Sequence, residues 1–117
     1  MASVLIVEDT KTQASLVGGF LSDAHAVAGW ARTADEAVSL AEETDPDAVV
    51  MDLNLADGNG IEATRRITDS EEGIPVIIST VNVGEDVKRK ALEAGGDEYL
   101  AKPYSRDELL AALDRLC

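Results

Sequence analysis

Ala48-Val49-Val50-Met51-Asp52-Leu53-Asn54 is the stretch whose reading decides the fold. Four apolar residues following Asp45-Pro46-Asp47 read as a short strand covered on both faces, as strands of parallel sheets are. The strand delivers a carboxylate, Asp52, to its exit. An acid in that position is conspicuous, and the remaining motifs read as groups converging on it.

Upstream, residues 3–7 (Ser-Val-Leu-Ile-Val) form a second apolar run that ends at once in Glu8-Asp9. A helical pattern opens at Thr10 or Lys11, with Ala14, Leu16, Val17, Phe20 and Leu21 apolar. Gly18-Gly19 weakens it, and it stops near Asp23. Residues 26–30 are a weak strand of alternating character. Thr33 or Asp35 caps a helix over 34–43, which Asp45-Pro46 ends. Downstream, residues 53–60 are rich in turn formers and form a loop. A helix with Ile61 and Ile67 inward, and Thr64 on the same face, then runs to about residue 70. Residues 76–80 (Val-Ile-Ile-Ser-Thr) are a fourth buried strand, ending in the hydroxyl of Thr80. Gly84-Glu85-Asp86 opens a helix to Ala94, closed by Gly95-Gly96, where a positive φ is needed. Tyr99-Leu100-Ala101 is a short fifth strand leading into Lys102-Pro103. Ser105 caps a last helix whose buried stripe is Leu109, Leu110, Leu113 and Leu116.

Strands alternating with helices predict βαβ units, hence an α/β fold with a five-stranded parallel sheet wound on both faces. In such sheets ligands sit beyond the carboxyl ends of the strands. Glu8-Asp9, Asp52, Thr80 and Lys102 all fall at those ends.

Composition narrows the function classes. The 117 residues suit one domain, 1–117, with room for a real core. Aromatics make up 3%, so the core falls to aliphatic side chains. The net charge of −13, from 23 acids against 10 bases, makes nucleic acid and anionic membranes poor partners. It also suggests a host with a high-salt cytoplasm, where screening relieves self-repulsion. The single cysteine, Cys117, fits a reducing compartment. No apolar run approaches the roughly 20 residues of a membrane span, and no charged leader precedes the first strand, so a cytoplasmic location is expected.

Carboxylates gathered at neighbouring strand exits repel one another and would either raise their pKa values or bind a cation. Mg²⁺ prefers oxygen ligands, takes few from protein and keeps waters or phosphate oxygens for the rest. A lysine and a threonine hydroxyl opposite could hold phosphoryl oxygens. The chemistry inferred from these groups is phosphoryl transfer to Asp52, with the carboxylate as nucleophile.

With these residues in view the chain resembles a response-regulator receiver domain from Ser3 to Leu116. The resemblance is carried by Val7-Glu8-Asp9, Asp52-Leu53-Asn54-Leu55, Asn59-Gly60, Pro75-Val76-Ile77-Ile78-Ser79-Thr80 and Gly95-Gly96-Asp97-Glu98-Tyr99-Leu100-Ala101-Lys102-Pro103-Tyr104, in order. It implies a flavodoxin-like (βα)5 fold with strand order 2-1-3-4-5. It implies that Asp52 accepts a phosphoryl group from the phosphohistidine of a sensor histidine kinase or phosphotransfer protein in two-component signalling. Glu8, Asp9, Asp52 and the backbone carbonyl of Asn54 would hold Mg²⁺, Asp9 most directly. Lys102 would pair with a phosphoryl oxygen, and Thr80 would swing to donate to another. Tyr99 would follow Thr80 and change the surface of the fourth helix, last strand and last helix. Asn54 and Asn82 resemble positions that tune hydrolysis. The expected activity is Mg²⁺-dependent self-phosphorylation and slow self-dephosphorylation in a signalling domain, with no output enzyme, and no effector segment is expected after Leu116. Departures from the pattern are Ala56 for a frequent proline, Val81 for a small alanine, Tyr104 for phenylalanine, and Ala112 where relatives that dimerise through the last helix often carry arginine.

A receiver-fold module that docks its partner without phosphorylation is the alternative, and an incomplete acidic pocket would favour it. A flavodoxin-like redox enzyme is disfavoured, because Glu8-Asp9 would repel a flavin phosphate where a cradling loop is needed. His25 lies at the far end of the sheet from these groups and reads as structural or solvated. Trp30 and Cys117 carry no functional signal in the sequence.

Overall fold

The computed structural model describes residues 1–55, 59–69, 73–81 and 84–117. Strands β1 (Ser3–Val7), β2 (Ala26–Ala31), β3 (Ala48–Asp52), β4 (Val76–Thr80) and β5 (Glu98–Ala101) alternate with helices α1 (Lys11–Leu21), α2 (Ala34–Thr44), α3 (Gly60–Thr68), α4 (Glu85–Glu93) and α5 (Arg106–Leu116). All four strand pairings are parallel, in the order β2-β1-β3-β4-β5. This is the flavodoxin-like α/β sheet expected from the sequence.

The three apolar runs are the inner strands: β3 and β4 are buried throughout, and β1 from its second residue on. Alternation along each strand divides their side chains between two layers. Leu5, Val7, Val49, Met51, Val76 and Ile78 pack against Ala37 and Ala41 of α2, Ala63 and Ile67 of α3, and Ala91 of α4. Val4, Ile6, Ala48, Val50 and Ile77 pack against Ala14, Val17 and Leu21 of α1 and Leu109, Ala112 and Leu113 of α5. Each fully buried aliphatic side chain contributes roughly 1.5–3 kcal/mol by leaving water. The outer strands β2 and β5 are only partly covered, which suits their weaker hydrophobic patterns.

Helix starts follow local side-chain chemistry. Thr10, Thr33, Asn59 and Ser105 each accept the backbone N–H three residues on, and Ser105 with Glu108 closes a reciprocal capping box. Of the two sequence candidates for the second cap, Thr33 serves and Asp35 lies in the first turn. Several boundaries extend the sequence reading. β2 reaches Ala31, with a register shift against β1 between Val4 and Leu5. α2 ends at Thr44, where Asp45 takes a left-handed φ of 45° and closes the helix in place of glycine. α4 is followed by Gly95 at φ +114°, where a Cβ would run into the Thr68 side chain. Of the α5 stripe, Leu109 and Leu113 are fully buried with Ala112, while Leu110 and Leu116 pack at its margin.

Candidate functional site

Because every strand runs the same way, the exits of β1, β3, β4 and β5 share one edge of the sheet. Glu8, one residue past β1, is 0% exposed, and Asp52, the last residue of β3, is 5% exposed. Asp9 sits half-buried at the rim. One carboxylate oxygen from each lies within 4.8 Å of the other two. Lys102, just past β5, places Nζ 3.0 Å from Glu8 Oε2 and 3.7 Å from Asp52 Oδ2. One ammonium thus lies against two of the three carboxylates.

The imbalance shows in Glu8. Burial pushes its carboxyl up to about 7, against the opposing pull of the Lys102 hydrogen bond and charge, and Asp52 adds to the rise. Among the described residues its buried Oε1 has no hydrogen-bond partner. Buried polar atoms are normally satisfied, so an orphaned oxygen flanked by two more carboxylates fits a site for a hard divalent cation.

Asp52 is held by its own loop. The Asn54 N–H donates to Asp52 Oδ1 at 3.1 Å, and Asn54 forms an antiparallel bridge with Asn59, the cap of α3. The Gly60 N–H donates to the Leu53 carbonyl at 3.1 Å. A Cβ at Gly60 would collide with the Asp52 carbonyl oxygen and Leu53 Cα. Only glycine lets the first turn of α3 rest directly on the backbone that follows Asp52.

Across the sheet, Thr80 is buried at the end of β4, and its carbonyl accepts the Lys102 N–H at 2.8 Å. The base is therefore registered to the same strand end as the hydroxyl. The Lys102–Pro103 peptide is cis. Ser79, opposite Asp52 in the β3–β4 register, lies 3.0 Å, Oγ to Oη, from Tyr104. Burial pushes the Tyr104 phenol up to about 12, with Glu8 and Asp52 adding to the rise, so it stays neutral. Its ring lies 6.2 Å from that of Phe20. Tyr99 is half-buried on the side of the sheet that α2 to α4 cover, with Lys88 Nζ 5.6 Å from its ring centroid. Val81 is 66% exposed and borders an apolar cleft with Leu16, Phe20, Pro103 and Tyr104. Its bulk turns outward.

The structure therefore brings Glu8, Asp9, Asp52 and Lys102 together, with Thr80 and the Asn54 backbone beside them. Asn82 and Ala56 lie outside the described residues. Two residues of the neighbourhood had escaped the sequence reading. Trp30 Nε1 donates to the Glu8 carbonyl at 2.8 Å. Arg32 Nε donates to the Asp9 carbonyl at 3.4 Å, and its guanidinium carbon lies 5.7 Å from the Trp30 ring centroid. The one available signal was that the chain's sole tryptophan stands two residues before a base at a strand exit. His25 is structural, as expected: its Nδ1 accepts the Ala2 N–H at 2.9 Å. Cys117 is exposed, its thiol 3.7 Å from the Asp47 carbonyl. No helix among the described residues is long and apolar enough to cross a membrane.

Comparison with known proteins places this geometry. The family model of the response regulator receiver domain matches residues 4–114. The chain is 34% identical over 110 residues to the chemotaxis protein CheY of Halobacterium salinarum, covering 94% of this chain and 92% of that protein. It is 33% identical to the transcriptional regulatory protein CusR of Escherichia coli, covering 97% of this chain and 50% of the relative, so it spans half of that longer protein. Among solved structures, the receiver domain of a Pseudomonas aeruginosa sensor histidine kinase, with a magnesium ion coordinated in its active site cleft, superposes with a TM-score of 0.89 at 33% identity. That match covers 98% of this chain and 96% of the other. A two-component response regulator of the LuxR family from Aurantimonas gives 0.91 at 34% identity, covering 98% and 84%.

Proposed function

The chain belongs to the response regulator receiver domain family, and from that premise we propose that it is a phospho-accepting switch in which Asp52 takes a phosphoryl group from a phosphohistidine of a sensor histidine kinase or phosphotransfer protein. An Asp52 carboxylate oxygen attacks phosphorus, the N–P bond breaks, and the imidazole leaves with the electron pair, giving an aspartyl phosphate. Glu8, Asp9, Asp52 and the Asn54 carbonyl would hold Mg²⁺, which would supply the positive charge that lets a carboxylate approach an anionic phosphoryl group. Lys102 leaves its two carboxylates to pair with a phosphoryl oxygen, and Thr80 donates to another. Tyr99 follows Thr80 and changes the surface formed by α4, β5 and α5, where a downstream protein docks. Asn54 and Asn82 set the rate at which water removes the phosphoryl group. The domain acts in the cytoplasm and catalyses its own phosphorylation and slow dephosphorylation.

The observation that carries this reading is the Glu8–Asp9–Asp52 cluster with an orphaned buried oxygen and one lysine bridging two of its carboxylates. Incubation with acetyl phosphate and Mg²⁺ is expected to add one phosphoryl group by intact mass, and Asp52→Asn to add none. Phosphorylation that persists in Asp52→Asn would overturn the assignment.

A further inference from the structure

We propose that Trp30 and Arg32, at the exit of β2, are positioning residues of the cation site: from the neighbouring strand they pin the two successive carbonyls of the backbone that carries Glu8 and Asp9. The inference rests on the reading of Glu8, Asp9 and Asp52 as cation ligands.

The β1–β2 ladder ends at Val7 opposite Ala31, and the Glu8 N–H makes the last bond across it, to the Ala31 carbonyl at 3.0 Å. The carbonyls of Glu8 and Asp9 lie past that ladder. A chain that leaves a sheet in this way is free to swing, and with it the acids it carries. Here side chains replace the missing strand. The Trp30 indole N–H takes the Glu8 carbonyl at 2.8 Å, and Arg32 Nε takes the Asp9 carbonyl at 3.4 Å. The guanidinium also covers the Trp30 ring, and the Arg32 N–H donates to Glu36 Oε1 at 3.3 Å in the first turn of α2. The acid-bearing backbone is thus tied through β2 to α2. Groups that orient metal ligands from outside the coordination sphere commonly change affinity by about 10- to 100-fold when removed.

A competing account makes Arg32 no more than a nearby charge. That account has the opposite sign, because an arginine near a divalent site repels the ion and its removal would tighten binding. Trp30 is the only tryptophan in the chain, so its emission reports on this one indole, with its hydrogen bond to Glu8 and the guanidinium over its ring.

The test is Mg²⁺ titration of the whole chain, read by calorimetry and by tryptophan emission, for the wild type, Trp30→Phe and Arg32→Ala, with Tm recorded for each. The wild-type emission is expected to change with the same midpoint as the calorimetric binding. Trp30→Phe is expected to weaken Mg²⁺ binding about tenfold, and Arg32→Ala, at an exposed position, to weaken it in the same direction with Tm little changed. Equal or tighter binding in Arg32→Ala, or Mg²⁺ affinity unchanged in Trp30→Phe, overturns the positioning role and leaves the cation reading intact. Absence of Mg²⁺ binding by the wild type overturns both.

Discussion

At Glu8 the folded state holds a proton that the unfolded chain gives up. Its carboxyl is raised from 4.5 to about 7, first by burial and then by Asp52, so between those pH values the native protein binds more protons than the unfolded one. Stability tied to Glu8 is therefore fully present below about pH 4.5 and lost as pH rises towards 7. Replacing the acid with Glu8→Gln should abolish that loss. In metal-free buffer, urea denaturation at pH 4.5 and pH 8 is expected to show wild type losing on the order of 3 kcal/mol relative to the variant. Parallel pH dependences for the two proteins would show that the Glu8 carboxyl titrates alike in the folded and unfolded states. Mg²⁺ reverses the sign of the problem: below pH 7 its binding should release a proton, visible in calorimetry as an enthalpy that varies with the buffer. The acids themselves were legible, since they follow apolar runs, and even their division was implicit, because Val4, Ile6 and Glu8 share strand parity. Trp30 was not legible. A side chain that bonds a backbone carbonyl on another strand leaves no period or motif behind.

Among the elements, α3 is the one whose start is fitted to the site. Asn59 caps it and bridges back to Asn54, and Gly60 rests on the backbone after Asp52. Intrinsic propensity and packing oppose each other at Gly60. Alanine is the better helix former by about 1 kcal/mol, but its Cβ would meet backbone atoms of Asp52 and Leu53, which cannot rotate away. Packing wins, and Gly60→Ala is expected to lower unfolding stability by about 1–3 kcal/mol, the usual range for overpacking a close-fitted site. It should also slow phosphorylation by acetyl phosphate, because the segment that moves carries the nucleophile. A more stable Gly60→Ala protein would show that α3 slides without disturbing β3. The sequence identified the helices by their caps and apolar spacing, and their ends fell within a residue or two of the structure wherever both ends are described. It showed Gly60 as a turn former and, with Asn59, as part of the family resemblance, but not the contact it makes, because a close approach between two backbones has no sequence period.

For the molecule as a whole, the sheet order was half legible. The apolar runs of β1, β3 and β4 and the weaker patterns of β2 and β5 agree with inner and edge places, but the order itself came from the family resemblance. Charge is the other property of this scale. Apart from the Lys102 contacts, the ion pairs among the described residues are partly or wholly exposed, as in Arg65–Glu62, Arg66–Asp35 and Arg89–Asp86, and such pairs contribute about 0–1 kcal/mol each. They cannot offset 23 acids with 10 bases. Two unmatched surface charges about 10 Å apart repel by roughly 0.4 kcal/mol in water, so many such pairs together reach a few kcal/mol. The Debye length falls from about 10 Å at 0.1 M salt to about 3 Å at 1 M. Unfolding stability is therefore expected to rise by a few kcal/mol from low salt to 1 M KCl, with most of the gain in the lower half of that range. Sucrose, which is excluded from protein surfaces but screens nothing, separates screening from a general effect of cosolvent. If sucrose matched KCl, or if stability were flat in KCl, the acidic surface would be a solvated face with no dependence on a salty cytoplasm.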